Sequence, residues 1–110
     1  MTHMLSAFNL GESQTIEDFK HSYALFVDDL QKMNMIANSD PIGERVTGTP
    51  MDTDGERHQR FYSILSFRDR AQLDAAYAYI ASKSEPGMSS HLDMHGRVAD
   101  GVFTCWRDVF

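Results

Sequence analysis

Cysteine is nearly absent from this sequence. Cys105 stands alone among 110 residues, so no disulfide can form within the chain and a reducing compartment is expected. Three prolines and seven glycines are too few for a collagen-like or linker-rich chain. No apolar run approaches the ~18 residues of a membrane span. No basic, apolar, small-residue sequence opens the chain either, so cytoplasm is the expected location and no membrane partner is expected. Positive charge is the other deficit. Ten Lys and Arg stand against sixteen Asp and Glu, a net charge of −6, which argues against the basic surface that nucleic acid requires. Repeats and low-complexity segments are missing as well. The length suits one domain, residues 1–110, with a core of its own.

The stretch from Thr15 to Met35 organises what remains. Ile16, Phe19, Tyr23, Phe26, Leu30 and Met33 recur at steps of three and four, which lines one face of a helix. Glu17, Asp18, Lys20, Asp28, Asp29 and Lys32 fill the other faces. Thr15 is placed to cap the first turn, with Asp18 returning a bond to the Thr15 amide. Asn38-Ser39-Asp40-Pro41 is expected to end the helix, since proline cannot extend its hydrogen-bond ladder.

Most of the other segments alternate as strands. His3 to Leu10 puts Met4, Ser6, Phe8 and Leu10 on one side and Leu5, Ala7 and Asn9 on the other. Ile42 to Thr47 predicts a weaker, polar strand, and Asp52-Thr53-Asp54-Gly55 a turn. Arg60 to Phe67 is the strongest strand, with Phe61, Ser63, Leu65 and Phe67 opposite Tyr62 and Ile64. Asp69 and Gln72 form a capping box for a second helix carrying Leu73, Ala76, Tyr77 and Ile80. Pro86-Gly87 ends it. Met88 to Arg97 fits either a short helix capped by Ser89 or Ser90 or an ordered loop, and Val102 to Phe110 closes the chain as a strand.

Strand, helix, strand, strand, helix, strand is an α+β, ferredoxin-like βαββαβ order. It predicts a four-stranded antiparallel sheet with two helices on one face. Three strands carry large apolar residues on both sides, so the face without helices is too apolar to stay wet. Pairing of two sheets in a homodimer covers it; a monomer holding a ligand there is the other solution.

This pattern resembles the dimeric α+β barrel superfamily, most closely its stress-responsive A/B barrel branch. The likeness rests on Thr15-Ile16-Glu17-Asp18-Phe19, on Tyr62-Ser63-Ile64-Leu65-Ser66-Phe67-Arg68-Asp69-Arg70 with Leu73 and Tyr77, and on His91 ahead of Val102-Phe103-Thr104. That family has a tyrosine, proline and histidine close together; here Tyr79, Pro86 and His91 are spread wider. The resemblance implies a dimer with a cleft between sheet and helices on each protomer. It also implies a range of roles, from cofactor-free monooxygenases, haem-degrading enzymes and polyketide cyclases to domains with no reaction. In haem-degrading relatives an asparagine near the position of Asn9 works with a tryptophan and a histidine.

His91-Leu92-Asp93-Met94-His95 is the densest group of acid–base or ligand residues. On a helix, His91 and His95 share a face; on a strand, His91, Asp93 and His95 align. Either arrangement suits a divalent metal or a general base near neutral pH. A polar turn is the plain alternative, and neither a metal nor a cofactor is assigned. His91 is the expected catalytic residue, with Asp93 its nearest carboxylate. Asn9, Tyr23, Tyr62, Tyr77, His95 and Trp106 are the expected ligand contacts, the tyrosines because each joins apolar area to one hydroxyl. Arg45 and Arg107 are candidates for an anionic group or for salt bridges, and Cys105 for a buried small residue. Two functions stay open. One is a binding domain for a small apolar or aromatic molecule; the other is a cofactor-independent monooxygenase or cyclase using His91 as base.

Overall fold

The structure, a computed structural model, describes all residues from Met1 to Phe110. Strand β1, Thr2–Leu10, lies at the centre of the sheet, between β4 (Phe61–Phe67) and β5 (Val98–Arg107), antiparallel to both. Register decides the faces, because residues opposite one another in an antiparallel pair point the same way. Met4 pairs with Leu65, Ser6 with Ser63 and Phe8 with Phe61, while His3 pairs with Ser66, Leu5 with Ile64 and Ala7 with Tyr62. The first set faces the helices and contains buried Phe8, Phe61 and Leu65. The second set faces away.

Helix α1, Ile16–Lys32, lays Phe19, Tyr23, Phe26 and Leu30 on the first face. Thr15 caps it, accepting the Asp18 N–H at 3.2 Å. It stops earlier than expected. Met33 is the C-cap, and Asn34 turns the chain with a φ of 57°, a left-handed conformation that asparagine tolerates. Asn38-Ser39 therefore does not end the helix but forms β2, Asn38–Ser39, paired with β4. The expected strand at Ile42–Thr47 shrinks to β3, Gly43–Glu44, on the same edge of β4. Between them Asp40 still donates its N–H to the Ile64 carbonyl at 3.0 Å, but Pro41 has none to give. The sheet thus has four lanes in the order edge, β4, β1, β5, with the edge lane broken in two. This is the ferredoxin-like arrangement with five strands in place of four.

Helix α2, Arg70–Ala81, begins at Asp69, whose carboxylate accepts the Gln72 N–H at 2.8 Å. Gln72 does not complete the box as expected. Its Oε1 accepts from the Arg68 N–H at 2.8 Å and its Nε2 donates to the Asn34 carbonyl at 3.0 Å. It so ties the β4–α2 turn to the end of α1. Leu73 and Ala76 are buried, whereas Tyr77 is exposed because α2 stops short of covering β5.

The ambiguous segment is a helix, α3, Gly87–His95, with Pro86 as N-cap and no side-chain cap from Ser89 or Ser90. Gly87 is required there: a Cβ would come within 2.3 Å of the Tyr79 ring. The Tyr79 hydroxyl instead accepts the Gly87 N–H at 2.8 Å. The last strand starts four residues before the expected Val102 and releases Asp108–Phe110. Between Ala7 and Asn9 its pairing with β1 shifts by a bulge, where Asp100 adopts a φ of 56°. No helix is long and apolar enough to cross a membrane.

Candidate functional site

Helix α3 carries His91, and α1 receives it. The imidazole packs at 5.3 Å from the Phe26 ring and stacks on His95 at 5.5 Å, with the ring planes 8° apart. The helical spacing i, i+4 produces that stack. Asp93 does not serve His91. It accepts the Ser22 hydroxyl at 2.6 Å and Arg97 Nη2 at 3.3 Å, on the side of α3 that docks to α1. Arg97 also donates to Ser22 Oγ at 2.8 Å and to Gln14 Oε1 at 3.0 Å. The Ser22 hydroxyl first, then the Arg97 guanidinium, hold the Asp93 carboxyl below the usual carboxylate range.

The expected ligand contacts are dispersed. Asn9 sits at the strand end, its Oδ1 accepting the Arg60 N–H at 2.9 Å and its Nδ2 donating to Asp100 at 3.4 Å. Tyr62 and Trp106 lie on the helix-free face of the sheet. Trp106 stacks there on His3 at 5.1 Å, and His3 bridges Ser66 Oγ at 2.7 Å and Asp108 Oδ1 at 2.8 Å. Tyr77 lies at the outer rim of α2, its hydroxyl 3.7 Å from Cys105 Sγ and 3.8 Å from Met4 Sδ. Cys105 is exposed, not buried as expected, because no helix lies over this edge strand. Arg45 holds no free anion site. Its guanidinium grips Asp52 at 3.0 and 3.2 Å and reaches the carbonyls of Asp54 and Arg57, which folds the 46–59 loop around it. His95 is exposed on α3. No three His, Cys, Asp or Glu side chains gather as a metal cluster.

Of the expected contacts, Tyr23 lines a groove. The groove runs between α1 and the broken edge lane, with Val27, Lys20, Asp40, Pro41 and Ile42 in its walls and a volume of about 440 Å³. A second hollow of about 450 Å³ continues it past Lys20 and Ile42 toward Leu10, Gln14 and Phe61. Pro41, at the break in the edge lane, lies in its wall. The Tyr23 hydroxyl is buried and makes no hydrogen bond of ordinary geometry, although the Ser63 hydroxyl is close enough to act on it. Burial pushes its pKa up to about 12; the nearby Ser63 hydroxyl offsets part of this and the Asp40 charge adds to it. The phenol is thus a proton donor across the physiological range. Sequence pattern does not single out Ser63 beside the Tyr23 hydroxyl, or Asp40 and Pro41 in the groove wall. The signal for Ser63 was a lone hydroxyl on a strand face that is otherwise Phe61, Leu65 and Phe67. Asp40-Pro41 reads locally as a helix stop, and only the pairing with β4 reveals a gap in a strand.

Over residues 1–110 the chain matches a family of unknown function, DUF6614. The chain belongs to that family. No curated protein matches it. Among solved structures, the Arabidopsis thaliana protein At3g17210 superposes with a TM-score of 0.74 at 8% identity, covering 99% of this chain and 95% of its own. A dimeric ferredoxin-like protein of unknown function from Jannaschia sp. CCS1 gives 0.66 at 11% identity, covering 97% and 98%. SnoaB, a cofactor-independent oxygenase from Streptomyces nogalater, gives 0.62 at 6% identity, covering 99% and 93%. At such identities the likeness is one of fold.

In this DUF6614 chain the His91 environment has a measurable consequence. Burial first, and the neighbouring His95 second, lower the His91 pKa below its ordinary 6.5. A depressed histidine pKa means that the unfolded chain takes up the proton first. Stability contributed by neutral His91 is therefore complete above pH 6.5 and is lost as pH falls through the lowered folded value. Denaturant titrations between pH 7.5 and 5 are expected to show this decline, and His91→Phe is expected to flatten it. An unchanged slope in the variant would assign the acid sensitivity elsewhere.

Proposed function

We propose that this protein is a homodimer that holds a small apolar or aromatic organic molecule in the groove between α1 and the broken edge lane. The observation that carries the ligand reading is the Tyr23 hydroxyl, a buried donor without a well-formed partner, with only the Ser63 hydroxyl near it, on a side chain that lines an open groove. Leaving such a group unpaired costs about 1–3 kcal/mol, a cost that a ligand oxygen removes on binding. Tyr23, Ala24, Val27 and Ile42 give the groove an apolar strip edged by Lys20, Asp28 and Asp40, a mixture that suits a small molecule with an apolar body and a polar end. The dimer reading draws on the helix-free sheet face and on fold neighbours described as dimeric. A net charge of −6 and a lone cysteine support a cytoplasmic protein without a nucleic-acid partner.

The test is Tyr23→Phe. Removing an unsatisfied hydroxyl is expected to raise unfolding stability by about 1 kcal/mol while weakening 2-naphthol binding about 5- to 10-fold by calorimetry. A loss of stability would show that the hydroxyl is satisfied within the fold and would sink the reading. The catalytic alternative, an oxygenase or cyclase with His91 as base, draws less support. His91 lines neither hollow, and its expected partner Asp93 is committed to Ser22 and Arg97.

A further inference from the structure

We propose that His91 and His95 form a two-imidazole site for a late first-row divalent transition ion, separate from the ligand groove. Three observations converge on it. First, the segment is helical, so the two side chains stand one turn apart on the same face, with ring centroids 5.5 Å apart in a near-parallel stack that a shared ion must open. Second, none of their four ring nitrogens makes a hydrogen bond, whereas His3 lies 2.8 Å and His58 3.7 Å from a carboxylate. Unpaired imidazole lone pairs on adjacent turns are what a nitrogen-preferring ion requires. Third, His91 is held against Phe26 while His95 is exposed, so one ring is fixed and the other can tilt toward a shared ion.

The donor set defines the ion. Magnesium and calcium require oxygen ligands and are excluded. A closed four-ligand zinc site is excluded too, because no third His, Cys, Asp or Glu completes the cluster. What remains is a two-nitrogen chelate whose other positions are filled by water. It has a structural effect of its own. Helix α3 is nine residues long and has no side-chain N-cap, so it gains little from its own hydrogen bonds. An ion joining residues one turn apart stabilises the helical state by mass action.

The experiment titrates the full chain with ZnCl₂ by calorimetry, with MgCl₂ as the control ion, and follows Tm in parallel. Zinc is the probe because it takes nitrogen ligands and has no redox chemistry of its own. One zinc per chain is expected, with a Kd on the order of 50 µM, no magnesium binding, and a Tm that rises with zinc. His95→Ala, at an exposed position, is expected to keep the fold, weaken zinc at least about 10-fold and abolish the Tm rise. His3→Ala is expected to leave the zinc affinity as it was. A Kd weaker than about 1 mM, or zinc binding that survives His95→Ala, or binding lost in His3→Ala instead, overturns the proposal.

Discussion

Trp106→Asp is expected to halve the particle mass measured by light scattering at micromolar concentration. The helix-free face of the sheet presents Leu5, Ala7, Tyr62, Ile64, Val102 and Trp106 side by side, as the register of β1 with β4 and β5 dictates. Val102 is 36% exposed and Trp106 41% in the single chain, and every residue of β5 from Asp100 to Arg107 is exposed. An edge strand with apolar side chains open on both faces is a liability unless something covers it. In the proposed homodimer a second copy of the same face covers it under two-fold symmetry, and an obligate pair of this kind is expected to bury ~1,600 Å² or more. A carboxylate placed within it must be desolvated without a partner, which such an interface does not tolerate. Val102→Asp is expected to act alike while leaving the His3–Trp106 stack intact, which separates loss of the interface from loss of that stack. Deleting Val109 and Phe110, which lie beyond the end of β5 and are 89% and 108% exposed, is expected to weaken the dimer. A wild-type chain that runs as a monomer would refute the whole scheme.

Gln72→Ala is expected to lower unfolding stability by about 2–3 kcal/mol, the largest effect of any polar substitution in the chain. Gln72 is 4% exposed and serves three neighbours. Its backbone N–H is capped by Asp69, its Oε1 satisfies the Arg68 N–H, and its Nε2 satisfies the Asn34 carbonyl. Truncation leaves two of these backbone groups unpaired, each costing about 1–3 kcal/mol less what water recovers. Asp69→Ala, which removes only the cap, is expected to cost about 1 kcal/mol. Chemical denaturation of the two variants checks the order. If Asp69→Ala proves the more damaging, the side-chain bridge from Gln72 to α1 contributes little. The bridge matters for the groove as well, since it anchors the turn between α1 and the edge lane.

Periodicity alone determined much of this protein. The stripe through Phe19, Tyr23, Phe26 and Leu30 specifies both a helix and the side it buries, because apolar residues at steps of three and four can share a face in no other way. Alternation did the same for β1 and β4, and Asp69 announced α2. Those local signals suffice for the ferredoxin-like order and for the excess of apolar residues on the helix-free face. Three things needed the tertiary structure. The edge lane is split because Asn38–Ser39 and Gly43–Glu44 find partners on β4 across Pro41, and pairing between distant segments leaves no mark on either alone. Asp93 chose Ser22 and Arg97 over His91 because α3 formed a helix, which turned residue 93 toward α1 and left residues 91 and 95 together. Tyr23 belongs to the same stripe as Phe19 and Phe26, and nothing in its spacing sets it apart from core. Only the packing of the broken edge against α1 left its hydroxyl buried without a well-formed partner, on a side chain that lines a groove, and that depends on three-dimensional closure, not on sequence pattern.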